Sequence, residues 1–132
     1  MASTSLAGKV ALITGGSKGI GRATAIRLAR DGAQVVINYG SSAEAANEVV
    51  KTIGSDKCIA IQADAGNVSS IEMLISETVK KFGKIDILIP NAGFMNLMKD
   101  VQDANEADFD KTFNLNVKGP LFLAQVWFCF LF

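Results

Sequence analysis

Short apolar runs alternate with longer stretches of helical periodicity along this chain. Four of the runs are continuous rather than alternating, which predicts the buried strands of a parallel sheet. In the stretches between them, apolar residues recur every three or four positions, which predicts helices with one buried face. The predicted strands are 9–14, 34–39, 58–62 and 85–89. The predicted helices are 18–30, 43–53, 69–82 and a last one that runs on from about 103.

The order of these elements, in which each strand is followed by a helix, predicts the fold class. Strands that alternate with helices through short connections form a parallel sheet with right-handed crossovers and helices on both faces. We therefore expect an α/β fold. No internal repeat, low-complexity segment or interdomain linker divides the sequence, so we expect a single domain.

Polar residues that can cap a helix precede three of the predicted helices. Ser69 begins a sequence with the spacing of a capping box, and Asp103 begins a weaker one. The second helix is predicted to be capped by Ser41 or Ser42. The Gly-Pro pair at 119–120 is predicted to kink or loosen the last helix.

Composition excludes several classes of function. The 132 residues contain 13 basic and 13 acidic side chains, so no global field favours nucleic acid or an anionic membrane. The absence of histidine excludes Ser-His-Asp and Cys-His nucleophiles and the usual zinc sites. Cys58 and Cys129 form no metal or redox motif, and Cys58 is expected in the core. Residues 1–5 show no signal peptide, which favours a cytoplasmic protein. We also expect no metal site.

Three glycines stand between the first strand and the first helix, at Gly15, Gly19 and Gly21. Gly15 allows a tight turn, Gly19 lets the backbone approach a pyrophosphate, and Gly21 lets the helix pack closely on the sheet. Such a junction points N–H groups and the positive end of a helix at an anion. We therefore predict a dinucleotide-phosphate site. The alternative is a structural turn that binds nothing.

A phosphate-binding P-loop is a second way to interpret these glycines. Gly16 and Gly21 have the spacing of its two glycines, but Arg22 and Ala23 stand where lysine and a hydroxyl residue belong. The hydroxyl that would bind magnesium is absent, so an NTPase is not favoured.

At this point the motifs resemble those of the short-chain dehydrogenase/reductase family. The segment 14–21 is similar to the family's cofactor motif, and Asn-Ala-Gly at 91–93 is similar to its second motif. Asp64 matches the acid that holds the adenine, and Asn116 matches the asparagine of the long fourth helix. The resemblance runs from about 6 to 125. It is strongest to NADPH-dependent ketone reductases of the polyhydroxynaphthalene and 3-oxoacyl-carrier-protein reductase type.

The resemblance implies a role for individual residues. Asp64 would accept a hydrogen bond from the adenine amino group, with the Ala65 N–H beside it. Asn91 and Gly93 would lie along the adenosine ribose and Ala92 would support the turn, although the Asn91 amide could equally tie adjacent strand ends together. The residues around the pyrophosphate and ribose would be Gly15, Ser17, Lys18 and Ile20.

The choice of cofactor can be argued from the end of the second strand. NAD-binding units of this kind place an acid there, about twenty residues past the glycines, on the ribose 2′-hydroxyl. Here Tyr39, Ser41 and Ser42 follow the strand without an acid. Hydroxyls and N–H groups at a helix start can donate hydrogen bonds to a 2′-phosphate, and Lys18 adds a positive charge nearby. We therefore expect NADP(H) to be favoured over NAD(H), with Tyr39, Ser41 and Ser42 in the cofactor site.

The family's catalytic pair, Tyr-x-x-x-Lys, is missing from this sequence. The sole tyrosine is Tyr39, and Ala43 stands four residues after it. Of the family's catalytic group only Asn116 is present, where it would bind a water of the proton relay. Its alternative role, a helix-kink residue beside Gly119, is favoured in the absence of partners. The resemblance implies NADPH-dependent reduction of a ketone to a secondary alcohol, whereas this chain alone is expected to transfer no hydride.

We therefore expect an incomplete family domain over 1–132, a truncated Rossmann-type doubly wound parallel sheet of three α/β/α layers with strand order 3-2-1-4. The alternative function is a non-catalytic nucleotide-binding or subunit-interaction module. The apolar tail at 126–132 has three interpretations. A foreign tail from a truncated or misread gene is favoured over a partner-binding patch, and a membrane anchor would need about twenty apolar residues. We also expect self-association through the last helix and the open edge of strand four.

Overall fold

The fold of this chain is given by a computed structural model that describes residues 5–98 and 100–131. The predictions made for residues 1–4 and for Phe132 lie outside the described residues. The strands are β1 (Val10–Ile13), β2 (Gln34–Tyr39), β3 (Cys58–Gln62) and β4 (Ile87–Ile89). The helices are α1 (Gly19–Arg30), α2 (Ala43–Ile53), α3 (Val68–Phe82), α4 (Glu106–Phe113) and α5 (Gly119–Cys129). A short 3₁₀ turn, Val101–Asp103, precedes α4, and a π-helical segment, Asn114–Lys118, joins α4 to α5.

The strands form one parallel sheet in the order β3-β2-β1-β4. Leu12, for example, lies opposite Val36 of β2 and Leu88 of β4. The predicted fold class and strand order are therefore confirmed. All four residues of β1 are buried, as a continuous apolar run predicts for a strand covered on both faces.

Apolar clusters lie on both faces of the sheet. Neighbouring residues of a strand point to opposite faces, so Leu12 and Ile13 belong to different clusters. Leu12 packs with Leu74 of α3 and Leu123 of α5. Ile13 packs on the other face, in a cluster that includes Ala25 of α1 together with residues of α2. Helices thus cover both faces, as the three-layer prediction requires.

The predicted helix caps at the third and last helices are wrong. Asn67, rather than Ser69, caps α3, and its Oδ1 accepts a hydrogen bond of 2.9 Å from the Ser70 N–H. At α4 the cap is Asn105 rather than Asp103, again with a bond of 2.9 Å. In each case an asparagine that the capping-box pattern does not include reaches the first turn.

Two strands are shorter than predicted, and the predicted N-cap of α2 makes no capping hydrogen bond. β1 covers four residues instead of 9–14, and β4 covers three instead of 85–89. The pairing of β4 with β1 begins at Ile87, because Asp86 turns its carboxylate to the Val10 N–H. Ser42 occupies the N-cap position of α2 but makes no side-chain capping hydrogen bond.

The last helix is loosened where the Gly-Pro pair predicted it. The π-helical segment ends immediately before Gly119, whose N–H bonds to the Asn114 carbonyl five residues back. Pro120 follows and has no N–H, so it cannot make the α-helical bond to the Asn116 carbonyl. The chain accommodates this by widening one turn of the helix, a π-bulge.

The apolar tail begins inside α5 and is only partly exposed. The Trp127 indole N–H donates to the Ile85 carbonyl at 2.9 Å, which ties α5 to the chain just before β4. Phe128, Phe130 and Leu131 are exposed. None of the described helices is long and apolar enough to cross a membrane.

Asp86 holds the beginnings of β1 and β4 together. Its Oδ2 accepts from the Val10 N–H at 2.8 Å and lies 3.0 Å from the Lys84 ammonium, and Lys9 lies 3.7 Å from Oδ1. Burial acts to raise the pKa of this carboxyl, but the Val10 hydrogen bond and the two lysines outweigh it, so the pKa lies below its usual value.

We expect Asp86→Asn to lower the midpoint of thermal unfolding by a few degrees at pH 7. Because the folded pKa is lowered, the ionised carboxylate stabilises the fold above the ordinary aspartate pKa, and this stabilisation is lost as the pH falls. The measurement is thermal unfolding of both proteins from pH 7 down to pH 3. The difference between them should shrink on acidification, and a difference independent of pH would contradict the assignment.

Candidate functional site

A cavity of about 760 Å³ lies where the carboxyl ends of the parallel strands meet. Its walls come from the turn after β1, the end of β2, the loop after β3, the loop after β4, and one side of α4 and the π-helical segment. Sheets of this type bind ligands in the crevice beside the first strand, where the strand order reverses. The lining residues are Gly15, Asn38, Gly40, Gln62, Ala63, Asp64, Ala65, Asn91, Ala92, Gly93, Lys111 and Leu115.

The glycines of the turn after β1 are required by space and by backbone conformation. Gly15 has a φ of 64° and Gly19 a φ of 53°, values that favour glycine, which confirms the tight turn predicted at Gly15. A Cβ on Gly21 would lie 2.3 Å from the Gly15 carbonyl oxygen, so α1 is packed against the turn itself. The requirement for glycine at position 16 was not predicted, and a Cβ there would lie 2.6 Å from the Ile37 Cβ.

The amino end of α1 opens from this turn without a side-chain cap. Lys18 occupies the N-cap position and makes no side-chain capping hydrogen bond, in contrast to Asn67 and Asn105 at α3 and α4. Lys18 and Ile20 are exposed, whereas Ser17 is buried. N–H groups of an uncapped first turn are suited to an anion, and no acidic residue occupies that turn.

Thr14 and Asn91 join the turn to the loop after β4 by reciprocal hydrogen bonds. The Thr14 hydroxyl accepts from the backbone N–H groups of Asn91 and Ala92 at 3.0 and 3.1 Å. In return the Asn91 amide donates to the carbonyls of Thr14 and Gly15 at 3.0 and 3.2 Å. These bonds correspond to the alternative for Asn91, an amide that ties adjacent strand ends together.

Asn38, near the end of β2, was not predicted as a site residue, and it joins the turn to the loop after β3. The side chain is buried, and its amide donates to the Ala63 carbonyl at 2.9 Å. Its Oδ1 accepts a longer bond of 3.4 Å from the Gly15 N–H, and its backbone carbonyl accepts from Gly16 at 2.9 Å. A polar residue within a buried strand was the available signal.

Asp64 lies in the loop after β3, exposed and lining the cavity. One carboxylate oxygen accepts from the Gly66 N–H at 2.8 Å, and the Asp64 carbonyl accepts from the Asn67 N–H at 3.1 Å. These bonds fix the carboxylate to the backbone of its own loop, so its direction depends on where that loop lies.

Asn116 lies in the π-helical segment and makes two hydrogen bonds to the loop after β4. Its Oδ1 accepts from the Phe94 N–H and its Nδ2 donates to the Phe94 carbonyl, both at 2.7 Å. The Lys111 ammonium lies 3.9 Å from the centroid of the Phe94 ring, close enough for a cation–π interaction. Both ends of the Asn116 amide therefore engage the backbone of this wall.

The structure brings some of the predicted site residues to the cavity and leaves others beside it. The predicted residues that line it are Gly15, Asp64, Ala65, Asn91, Ala92 and Gly93. Those that lie on the turn, the start of α1, the end of β2 or the β2–α2 connection without lining it are Ser17, Lys18, Gly19, Ile20, Gly21, Tyr39, Ser41 and Ser42.

Several lining residues were not predicted. Asn38 and Gln62 are polar residues at strand ends, a signal that was available in the sequence. Lys111 and Leu115 come from α4 and the π-helical segment, far along the chain, and only their four-residue spacing places them on one helix face.

The cysteines are free thiols. Cys58 is fully buried in β3, as predicted, and burial raises the pKa of its thiol to about 11. It therefore stays protonated and is not a nucleophile. Among residues 5–98 and 100–131, no group of three or more side chains of the metal-binding types is placed to hold a metal ion.

Known proteins resemble this chain over most of its length. A family model described as short chain dehydrogenase matches residues 9–131. The chain is 48% identical over 122 residues to the hydroxynaphthalene reductase arp2 of Aspergillus fumigatus, covering 91% of this chain and 44% of that protein. The chain thus spans about half the length of the curated relatives it matches.

Solved structures match over the same extent. A short chain dehydrogenase from Burkholderia cenocepacia in complex with NADP is 42% identical, with a TM-score of 0.88 over 92% of this chain and 50% of that one. The 3-ketoacyl-(acyl-carrier-protein) reductase of Brucella melitensis, complexed with NADH, is 36% identical, with a TM-score of 0.86 over 92% and 49% of the chains.

We expect Gly21→Ala to destabilise the fold by about 1–3 kcal/mol, because its methyl group would overlap the Gly15 carbonyl and the Asn91 amide. The measurement is urea unfolding of the free protein. Gly40→Ala is the matched control, because nothing lies within 4 Å of its added Cβ. Equal stabilities of the two variants would show that the turn can relax around position 21.

Proposed function

This chain belongs to the short-chain dehydrogenase family, and from that premise we propose that it forms the NADP(H)-binding part of an oxidoreductase that reduces a ketone to a secondary alcohol. The observation that carries the proposal is the cavity at the carboxyl ends of the strands, where the glycine turn meets the loops after β3 and β4. Its volume of about 760 Å³ suits a ligand of dinucleotide size.

The turn after β1 is suited to bind a pyrophosphate. A Cβ on Gly19 would meet no atom within 4 Å, so this side of the turn is open, whereas Gly21 faces inward against Gly15. The pyrophosphate would lie on the open side, against the N–H groups of the uncapped first turn of α1. The residues we propose around it and the adjoining ribose are Gly15, Ser17, Lys18, Gly19, Ile20 and Gly21.

The adenine would lie against the loop after β3. One oxygen of Asp64 is bonded to Gly66, and the carboxylate has a second oxygen that can accept from the adenine amino group. The Ala65 backbone lines the same wall. On the opposite wall, Asn91, Ala92 and Gly93 would lie along the ribose, held there by the bonds to Thr14.

The end of β2 supports a preference for NADP(H). No carboxylate lies between Asn38 and Ser42, and the Asn38 amide donates a hydrogen bond to the Ala63 carbonyl. The Ser42 hydroxyl makes no capping bond to α2, so it and Ser41 can contact a 2′-phosphate at that helix start. Tyr39 would flank this group. The structural neighbours include complexes with NADP, with NADPH and with NADH, so the preference rests on these residues.

When bound, NADPH would supply a hydride to the ketone carbon. The residues of this chain would bind and orient the cofactor, but the sequence lacks the Tyr-x-x-x-Lys pair that would donate the proton. Tyr39, the sole tyrosine, lies at the end of β2 with Ala43 four residues on, and Asn116 is bonded to Phe94. We therefore propose that these 132 residues alone transfer no hydride. A cytoplasmic location stays a prediction from the sequence.

We expect the chain to bind NADPH more tightly than NADH in a fluorescence titration. Ser41→Asp should weaken NADPH binding about tenfold or more, because its carboxylate would repel the 2′-phosphate, and should change NADH binding much less. Ser55→Asp is the control, an exposed serine that precedes β3 and so lies at the amino ends of the strands, away from the cavity.

Three results would contradict parts of this proposal. Failure to bind either nucleotide would overturn the dinucleotide site. Equal or tighter binding of NADH would overturn the preference. Turnover of a ketone by the purified chain, followed by the loss of NADPH absorbance, would overturn the absence of hydride transfer.

A second candidate function, a subunit-interaction module, is favoured by an apolar stripe along α4, the π-helical segment and α5. Phe109, Phe113, Val117 and Leu121 recur every four residues and are 60%, 48%, 56% and 64% exposed. The rings of Phe109 and Phe113 are stacked with centroids 4.5 Å apart. Exposed apolar surface of this extent is typical of interaction sites, so we propose self-association through it.

We expect the chain to associate in a concentration-dependent way, and Phe113→Glu to shift it towards the monomer by placing a charge in the stripe. Ala107→Glu, an exposed position of α4 outside the stripe, is the control. Sedimentation velocity over a range of concentrations measures the shift. A monomeric wild-type chain at every concentration would contradict the proposal.

A further inference from the structure

The loop after β3, residues 63–67, is packed directly against the backbone of the π-helical segment and Gly119. A Cβ on Gly66 would lie 3.1 Å from the Asn114 carbonyl carbon and 3.2 Å from the Leu115 nitrogen. A Cβ on Gly119 would lie 2.1 Å from the Ala65 carbonyl oxygen. Two glycines, one from each side, therefore let two backbones approach without side chains between them.

Glycine is required at position 119 because a side chain has no room there, and not because of its backbone conformation. Its φ of −55° and ψ of −57° are ordinary helical values that any residue adopts. Within a helix alanine is favoured over glycine, so local preference would replace it. The position is buried, and the Ala65 carbonyl occupies the volume where a methyl group would lie.

The loop that Gly119 supports carries the proposed adenine contacts. Ala65 and Asp64 line the cavity, and the Asp64 carboxylate is bonded to the N–H of Gly66, the residue that contacts the π-helical segment. Leu115, from the same segment, also lines the cavity. Separation of the helix from the loop would therefore widen this end of the cavity, and a displacement of the loop would carry the carboxylate with it.

We infer that Gly119 is a positioning residue of the cofactor site, which sets the place of Asp64 and Ala65 by letting the helix touch their loop. The inference rests on the proposed function, because it assigns the adenine to this wall. A methyl group at position 119 fits only if the two backbones separate by roughly 1 Å. Misplacement of that size is large for groups that must hydrogen-bond a ligand.

The experiment compares the affinities of three variants for NADPH and for adenosine 2′,5′-bisphosphate, which lacks the nicotinamide half. Gly119→Ala should weaken both ligands about tenfold or more, and Gly66→Ala, with its milder overlap, by a smaller factor. Gly83→Ala is the matched control. It strains the left-handed end of α3, where φ is 82°, and touches nothing within 4 Å.

The control separates positioning from loss of stability. Gly83→Ala should lower the thermal midpoint and leave both affinities unchanged. Should Gly119→Ala not fold, Gly66→Ala decides the question by itself. Unchanged affinity in the folded variants, or an equal loss in Gly83→Ala, would overturn the inference and leave the proposed function standing. A wild-type chain that binds neither ligand would overturn the proposed function and the inference with it.

Discussion

The reciprocal hydrogen bonds between Thr14 and Asn91 hold together the two segments around which the other walls of the site are arranged. The threonine hydroxyl accepts from two N–H groups of the loop after β4, and the asparagine amide donates to two carbonyls of the turn after β1. Because both partners are held at 3.0–3.2 Å, the carboxyl ends of β1 and β4 cannot separate without leaving partly buried polar groups unpaired. The close approach of Gly21 to Gly15 then fixes the start of α1 against the same point.

The other walls of the cavity are held by the same chemistry. An asparagine amide both donates and accepts, so it can pair with backbone as another backbone segment would. Asn38 uses this property to join the glycine turn to Ala63, and Asn116 uses it to join the π-helical segment to Phe94. Loops carry more conformational freedom than the strands they follow, and these bonds remove much of it before a ligand arrives. The site is therefore built mainly from backbone held in place by three amides.

Much of the fold could be predicted from sequence because buried parallel strands leave a simple signature, a continuous apolar run between helical stretches. The glycine turn could be predicted as well, because a positive φ at Gly15 and the contact at Gly21 restrict these positions to glycine. The helix caps failed because Asn67 and Ser69 are both good caps, and only the path of the chain selects between them. Lys111 reaches the cavity through the packing of distant elements, which no local pattern in the sequence records.

A crystal structure of the chain grown with excess NADPH would show where the dinucleotide binds. We expect the pyrophosphate against the N–H groups at the start of α1, with the adenine beside Asp64 and the 2′-phosphate near Ser41 and Ser42. Density for the nucleotide at another surface, with the glycine turn unoccupied under saturating conditions, would contradict this placement.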